Sequence, residues 1–137
     1  MAGAITLRVI TPDRVLVDSS ADKVRFPGLD GSVGVLSRHA HMVSALDSGE
    51  LLWEGPEGPG RMFVAGGFVE VRSNTLRVVT QSGELAGDID VERAKAAAER
   101  AKERLGARAL RAGSVDLRRA EASLRRAMQR LRVAQGR

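Results

Sequence analysis

The 137-residue chain has no cysteine, only four aromatic side chains (Phe26, Trp53, Phe63, Phe68), four prolines and two histidines. Without cysteine there is neither a disulfide framework nor a thiolate metal site, and a reducing compartment is the expected home. Two imidazoles, His39 and His41, are too few for an ordinary zinc site without a carboxylate cluster beside them, so they read as loop residues. No apolar run approaches the roughly 20 residues that span a bilayer. The opening MAGAITLRVITPD has no basic stretch followed by an apolar one, so no secretory leader is expected. The serines lack the G-x-S-x-G context of a nucleophile elbow. Gly28-Leu29-Asp30-Gly31-Ser32-Val33-Gly34 lacks the Lys-Ser/Thr ending of a phosphate loop and reads as turn chemistry. No acid/base pair, nucleophile or metal set is left to suggest an enzyme.

What is present is sharply partitioned near residue 86. All the prolines and aromatics precede that point. Residues 1–86 hold 8 Lys/Arg against 10 Asp/Glu, net −2, and residues 87–137 hold 14 against 7, net +7. The formal charge of +5 therefore belongs to a basic arm joined to a mildly acidic body. At 43% hydrophobic and 28% charged the chain is globular, with material for one modest core.

In the body, apolar and polar residues alternate in short segments. Ile5, Leu7 and Val9 form one, Val15 and Val17 another, and Val24 and Phe26 a third; further strands are expected at 32–36, 42–46, 50–53, 61–64, 68–72 and 75–79. Gly28, Asp30-Gly31, Ser48-Gly49, residues 55–60 and Ser73-Asn74 supply the turns. This spacing predicts a mostly β domain over 1–86, an antiparallel sandwich or flattened barrel of about ten strands. Gly66-Gly67 opens a strand, where glycine marks a bulge or a close backbone approach.

Over 87–137 the period becomes helical and predicts an antiparallel two-helix hairpin. Asp90 is placed to cap the first helix, and Ala94, Ala98, Ala101 and Leu105 make a narrow stripe of small residues. Gly106 weakens that helix, Ala112-Gly113-Ser114 ends it, and Asp116 caps the second. On a wheel at about 100° per residue, Leu117, Ala120, Leu124, Ala127, Met128 and Leu131 share an apolar arc. Arg118, Arg119, Arg125, Arg126, Arg130 and Arg132 share an opposite arc of about 160°. Such a face is either solvated or made for an acidic partner. Arg126 and Arg130 repel one another at i, i+4, and the guanidinium fork suits carboxylate or phosphate.

Several motifs in this order resemble the epsilon subunit family of F-type ATP synthases. They are Gly31-Ser32-Val33-Gly34-Val35-Leu36 followed by His39-Ala40, Val64-Ala65-Gly66-Gly67-Phe68-Val69-Glu70-Val71, Ile89-Asp90-Val91-Glu92-Arg93-Ala94, and Arg119-Ala120-Glu121 with Arg126-Ala127-Met128-Gln129-Arg130-Leu131. The resemblance runs nearly end to end and implies a ten-stranded flattened barrel or sandwich with a C-terminal helical hairpin. It implies a non-catalytic rotor subunit of the central stalk, held against the gamma subunit and the c-subunit ring. That complex sits on the cytoplasmic face of a bacterial plasma membrane, and this chain would touch the membrane only through it. Gly31, Ser32 and His39 match the edge that meets the c-ring, with departures: Ser32 stands where an acidic residue is common, and His41 where proline follows His-Ala.

The resemblance also makes the hairpin regulatory. Folded, it leaves the enzyme free; extended along gamma, it reaches the alpha/beta catalytic head, where the arginine face meets an acidic segment, and blocks ATP hydrolysis. Some family members bind ATP in the folded hairpin. Ile89, Asp90, Arg93 and Ala94 match that motif, and Glu84, Arg126 and Arg130 match its remaining positions, although residues 106–115 make a longer link than in the matching members. No cofactor is required, and ATP would be a regulatory ligand. On the residues alone Asp90 equally serves as a cap, with Arg93 pairing Glu92 or Asp88. The alternative class, a basic hairpin that binds nucleic acid, is disfavoured because the arm has no aromatic for base stacking.

Overall fold

The computed structural model describes residues 4–108 and 114–136, with the side chains of 107–108 and 114–116 outside that description. The alternation of the first segment becomes β1 (Ile5–Ile10), in which Ile5, Leu7 and Val9 are buried and Thr6, Arg8 and Ile10 are half-buried. β2 (Val15–Ala21), β3 (Lys23–Gly28), β4 (Gly31–Leu36), β5 (Met42–Glu54), β6 (Gly60–Arg72), β7 (Thr75–Thr80) and β8 (Gly83–Leu85) follow. A single 3-10 turn, Ala86–Asp88, then leads into α1 (Val91–Arg108) and α2 (Ser114–Gln135). The chain divides into two compact units, Met1–Leu85 and Ala86–Arg137.

Among the described residues eight strands are formed where about ten were expected, because β5 and β6 each absorb two of the predicted segments into 13 residues. Strand order is β2-β1-β7-β6-β5-β3-β4, with β8 added to β6. All neighbours are antiparallel except β1 and β7, which run parallel. The long strands serve two layers. The N-terminal half of β6 pairs β8 and its C-terminal half pairs β7; β5 pairs β6 along most of its length and gives β3 mainly its C-terminal end. Between the layers lie Ile5, Leu7, Val9, Val24, Phe26, Val35, Leu51, Met62, Val64, Val69, Val71, Leu76 and Val78, each at most 1% exposed.

A strand that changes layers has to bend, and the bend in β6 falls on Gly66-Gly67. Both have positive φ, +86° and +130°. A Cβ on Gly67 would sit inside the envelope of the Val79 carbonyl oxygen on β7. These are the conformational freedom and the close approach that only glycine supplies. Ser73 and Asn74, with φ of 49° and 61°, make the two-residue turn that joins β6 to β7. Substituting Gly67→Ala should lower stability by about 3 kcal/mol or more, through backbone strain and a clash that cannot relax along a side chain. Urea denaturation should show an earlier midpoint at unchanged slope; an unmoved midpoint would contradict this account of the bend.

Candidate functional site

In the helical unit, Asp90 caps α1 as expected: its Oδ1 accepts a hydrogen bond from the Arg93 backbone N–H at 3.0 Å. Ile89 and Ala94 are buried, whereas Asp90 and Arg93 are exposed. The cap role is thus met by the backbone geometry. Among the described residues the Arg93 guanidinium has no ion-pair partner, so the pairing with Glu92 or Asp88 is not made; Glu92 instead pairs Lys95 at 3.8 Å. α1 runs through Gly106 to Arg108, and α2 begins at Ser114, two residues ahead of Asp116. Most of the link between them, residues 109–113, lies outside the described residues, as does the Asp116 side chain.

The seam between α1 and α2 differs from the wheel. It is closed by Ala94, Ala98 and Ala101 against Ala120, Ala127 and Val133, all at most 5% exposed. Leu117, Leu124 and Leu131 are only half-buried, and Met128 is 53% exposed. Alanines let two helix backbones approach closely, so the contact rotates toward the small residues and leaves the leucine edge at the rim.

This rotation divides the six arginines. Arg118, Arg125 and Arg132, seven residues apart, are exposed on the outer face of α2, and Arg119 is also exposed. Arg126 and Arg130 are half-buried beside the seam, flanking buried Ala127. The antiparallel arrangement brings them to the end of the hairpin that carries Ile89, Asp90, Arg93 and Ala94, and α2 packs there against the Ala86–Asp88 turn. Glu84 belongs to the other unit, on β8 opposite Phe63. On the outer face, Glu121, Leu124, Arg125, Met128, Gln129 and Arg132 line a concavity of about 440 Å³ that mixes cationic and apolar surface.

In the β unit, the three expected ring-contact residues lie along one edge strand but at its two ends. Gly31 and Ser32 start β4 beside the 66%-exposed Leu29, paired with Gly28 and Pro27. His39 follows the far end, on the order of 20 Å away along an extended chain. The His39 loop is anchored: the Arg38 N–H donates to Asn74 Oδ1 at 2.9 Å, and Asn74 Nδ2 donates to the Ala4 carbonyl at 2.6 Å. Among the described residues no group of three or more His, Cys, Asp or Glu side chains could hold a metal ion.

One surface went unread in the sequence. Register places Ala45, Phe68, Val79 and Ile10 side by side across β5, β6, β7 and β1. One step along, about 7 Å away, stand Val43, Glu70, Arg77, Arg8 and, on β2, Asp18. Val43 is 73% and Phe68 45% exposed. The available signal was the alternation itself, which turns Phe68 and Glu70 outward while Val69 and Val71 are buried; β1 and β7 are far apart in sequence and could not have been joined from it.

A β-sandwich with a closed apolar core, followed by an alanine-seamed helical hairpin with a basic outer face, defines a two-part class of small subunit. The chain belongs to the ATP synthase delta/epsilon family: residues 4–86 match the beta-sandwich domain of the ATP synthase Delta/Epsilon chain, and residues 88–135 match its long alpha-helix domain. The relatives are more particular. The chain is 41% identical over 108 residues to the ATP synthase epsilon chain of Carboxydothermus hydrogenoformans, covering 79% of this chain and 81% of that one. It is 40% identical over 105 residues to the ATP synthase epsilon chain of Nitratidesulfovibrio vulgaris, covering 77% and 78%. Its fold also matches a chain in the cryo-EM structure of the Euglena gracilis mitochondrial ATP synthase (OSCP/F1/c-ring), with a TM-score of 0.76 at 22% identity, covering 89% of this chain and 76% of that one.

Proposed function

We propose that this chain is the epsilon subunit of a proton-transporting F-type ATP synthase, a non-catalytic part of the central stalk that couples rotation to ATP synthesis and restrains ATP hydrolysis through its hairpin. The observation that carries the reading is the contrast between the two units: one has a continuous core of large side chains, the other a seam of methyl groups. A rigid seat and a loosely closed lever are what a coupling subunit with a movable inhibitory arm requires. The body is then the part held by gamma and the c-ring. Gly31 and Ser32 supply one end of the β4 edge for that contact and His39 the other. Among the described residues no helix is long and apolar enough to cross a membrane; the reading makes the chain peripheral, on the cytoplasmic face of the plasma membrane through the complex.

In the extended arm the arginines meet carboxylates of the alpha/beta head. Arg118, Arg119, Arg125 and Arg132 are already exposed for that contact, while Arg126 and Arg130 would have to leave their half-buried sites. Moving such an equilibrium from 1:99 to 99:1 takes about 5.5 kcal/mol of differential contact. Exposed pairs give at most about 1 kcal/mol each, so desolvated Arg–carboxylate pairs are needed. ATP acts in the opposite sense. Arg126 and Arg130 near Asp90 and Arg93 give a cationic end to the folded hairpin, and a triphosphate bound there stabilises the folded arm. No cofactor is required.

Removing residues 88–137 should leave the synthase assembled but raise its ATP hydrolysis severalfold; hydrolysis unchanged by the truncation would remove the inhibitory role. Titration of the full chain with ATP, followed by a distance probe between α1 and α2, should report compaction that Arg126→Ala abolishes. An identical response from that variant would exclude Arg126 from the site.

A further inference from the structure

Among the described residues three that are not glycine hold a positive φ: Arg38 at 65°, Ser73 at 49° and Asn74 at 61°. Such backbone is uncommon for side chains other than Asn and Asp, and all three residues meet at one point. Ser73 and Asn74 form the turn between β6 and β7, while Arg38 belongs to the segment 37–41 that joins β4 to β5. The Asn74 side chain ties the two together. Its Oδ1 accepts from the Arg38 N–H at 2.9 Å, and its Nδ2 donates to the Ala4 carbonyl at 2.6 Å. The Asn74 carbonyl accepts in addition from the Thr6 N–H at 3.0 Å. One side chain thus joins segments that lie 36 and 70 positions away from it.

The place of this clamp matters because of what residues 37–41 connect. β4 is the last strand of the order and pairs only β3. β5 starts at Met42 opposite Val71, in the other layer, where the register continues through Leu76 to Leu7. The segment therefore crosses between layers, and its own turn supplies a single backbone tie, from the His39 N–H to the Leu36 carbonyl at 3.2 Å. With that tie alone the crossing would hinge at Arg38, and a load applied at His39 would be spent in bending the loop. The His39 ring follows its backbone closely, since Nδ1 donates to the adjacent Ala40 carbonyl at 2.8 Å. We propose that Asn74 is the positioning residue for the ring contact: it pins Arg38 to the end of the β1–β7 pair, so that force arriving at His39 passes into the layer of long strands. This deepens the stalk reading and rests on it, with the c-subunit ring as the neighbour that His39 meets.

Asn74→Gly separates the side chain from the backbone, because glycine adopts positive φ freely and is the favoured second residue of a two-residue hairpin turn. In the full chain this variant should keep the protection of the Thr6 amide, whose acceptor is a backbone carbonyl. The Arg38 amide should exchange about tenfold faster, the factor that accompanies loss of one hydrogen bond. In the assembled synthase the same variant should lower the protons pumped per ATP hydrolysed to the level of His39→Ala, and the double variant should go no lower. An Arg38 amide as protected as before would overturn the clamp. A matching loss of Thr6 protection would make Asn74 a general support of the sheet end and would also overturn it. Faster Arg38 exchange with pumping unchanged, where His39→Ala lowers pumping, would overturn the positioning role and leave the ring contact of His39 standing. Pumping unmoved by His39→Ala would remove that contact and this proposal together.

Discussion

Methyl groups hold the two helices together. Ala94, Ala98 and Ala101 meet Ala120, Ala127 and Val133, and each alanine contributes only about 0.8 kcal/mol of burial. Phe26, Phe63, Leu7, Leu51, Met62 and Leu76 in the β unit are completely buried, at about 1.5–3 kcal/mol each. The helices themselves are built from good helix formers, so α1 and α2 persist as helices more readily than they persist as a pair. Half-buried Leu117, Leu124 and Leu131 add to the seam without sealing it. An arm that exchanges partners, as proposed above, is best closed this lightly.

The β unit has the opposite construction. β5 and β6 each run 13 residues and belong to both layers, so the layers cannot part without breaking their longest ladder. That rigidity makes the outer surfaces useful: the β4 edge, the anchored loop at His39 and the row from Val43 to Asp18 keep fixed positions. On the proposed reading, function in this chain is a matter of presented surfaces. The charged groups of interest stand on strand and helix faces, where their value depends on what a neighbour brings.

The sequence was most informative where one local rule governs. Alternation at Ile5, Leu7 and Val9, the turn at Ser73-Asn74 and the cap at Asp90 each appear as read. It was least informative where a rule has two outcomes. Gly49, Gly66 and Gly67 punctuate strands in most chains, yet here they bend strands that continue, which turned predicted pairs into single elements. Gly83-Glu84-Leu85 is too short to show a period, so β8 went unread. On α2 the apolar arc held Ala120 and Ala127 together with the leucines and Met128; the alanines took its buried centre, leaving the leucines, Arg126 and Arg130 half-buried and Met128 outside. The Arg8–Arg77 juxtaposition depends on parallel pairing of β1 with β7, which no local pattern encodes.

Native-state hydrogen exchange on the full chain tests most directly whether the helical unit is the lightly closed part of the molecule. Amides of β5 and β6 should be protected about a hundredfold more than those of α1 and α2, the ratio given by an opening free-energy gap of roughly 3 kcal/mol. Equal protection across both units would mean that the hairpin opens only when the whole protein unfolds, and would contradict the account.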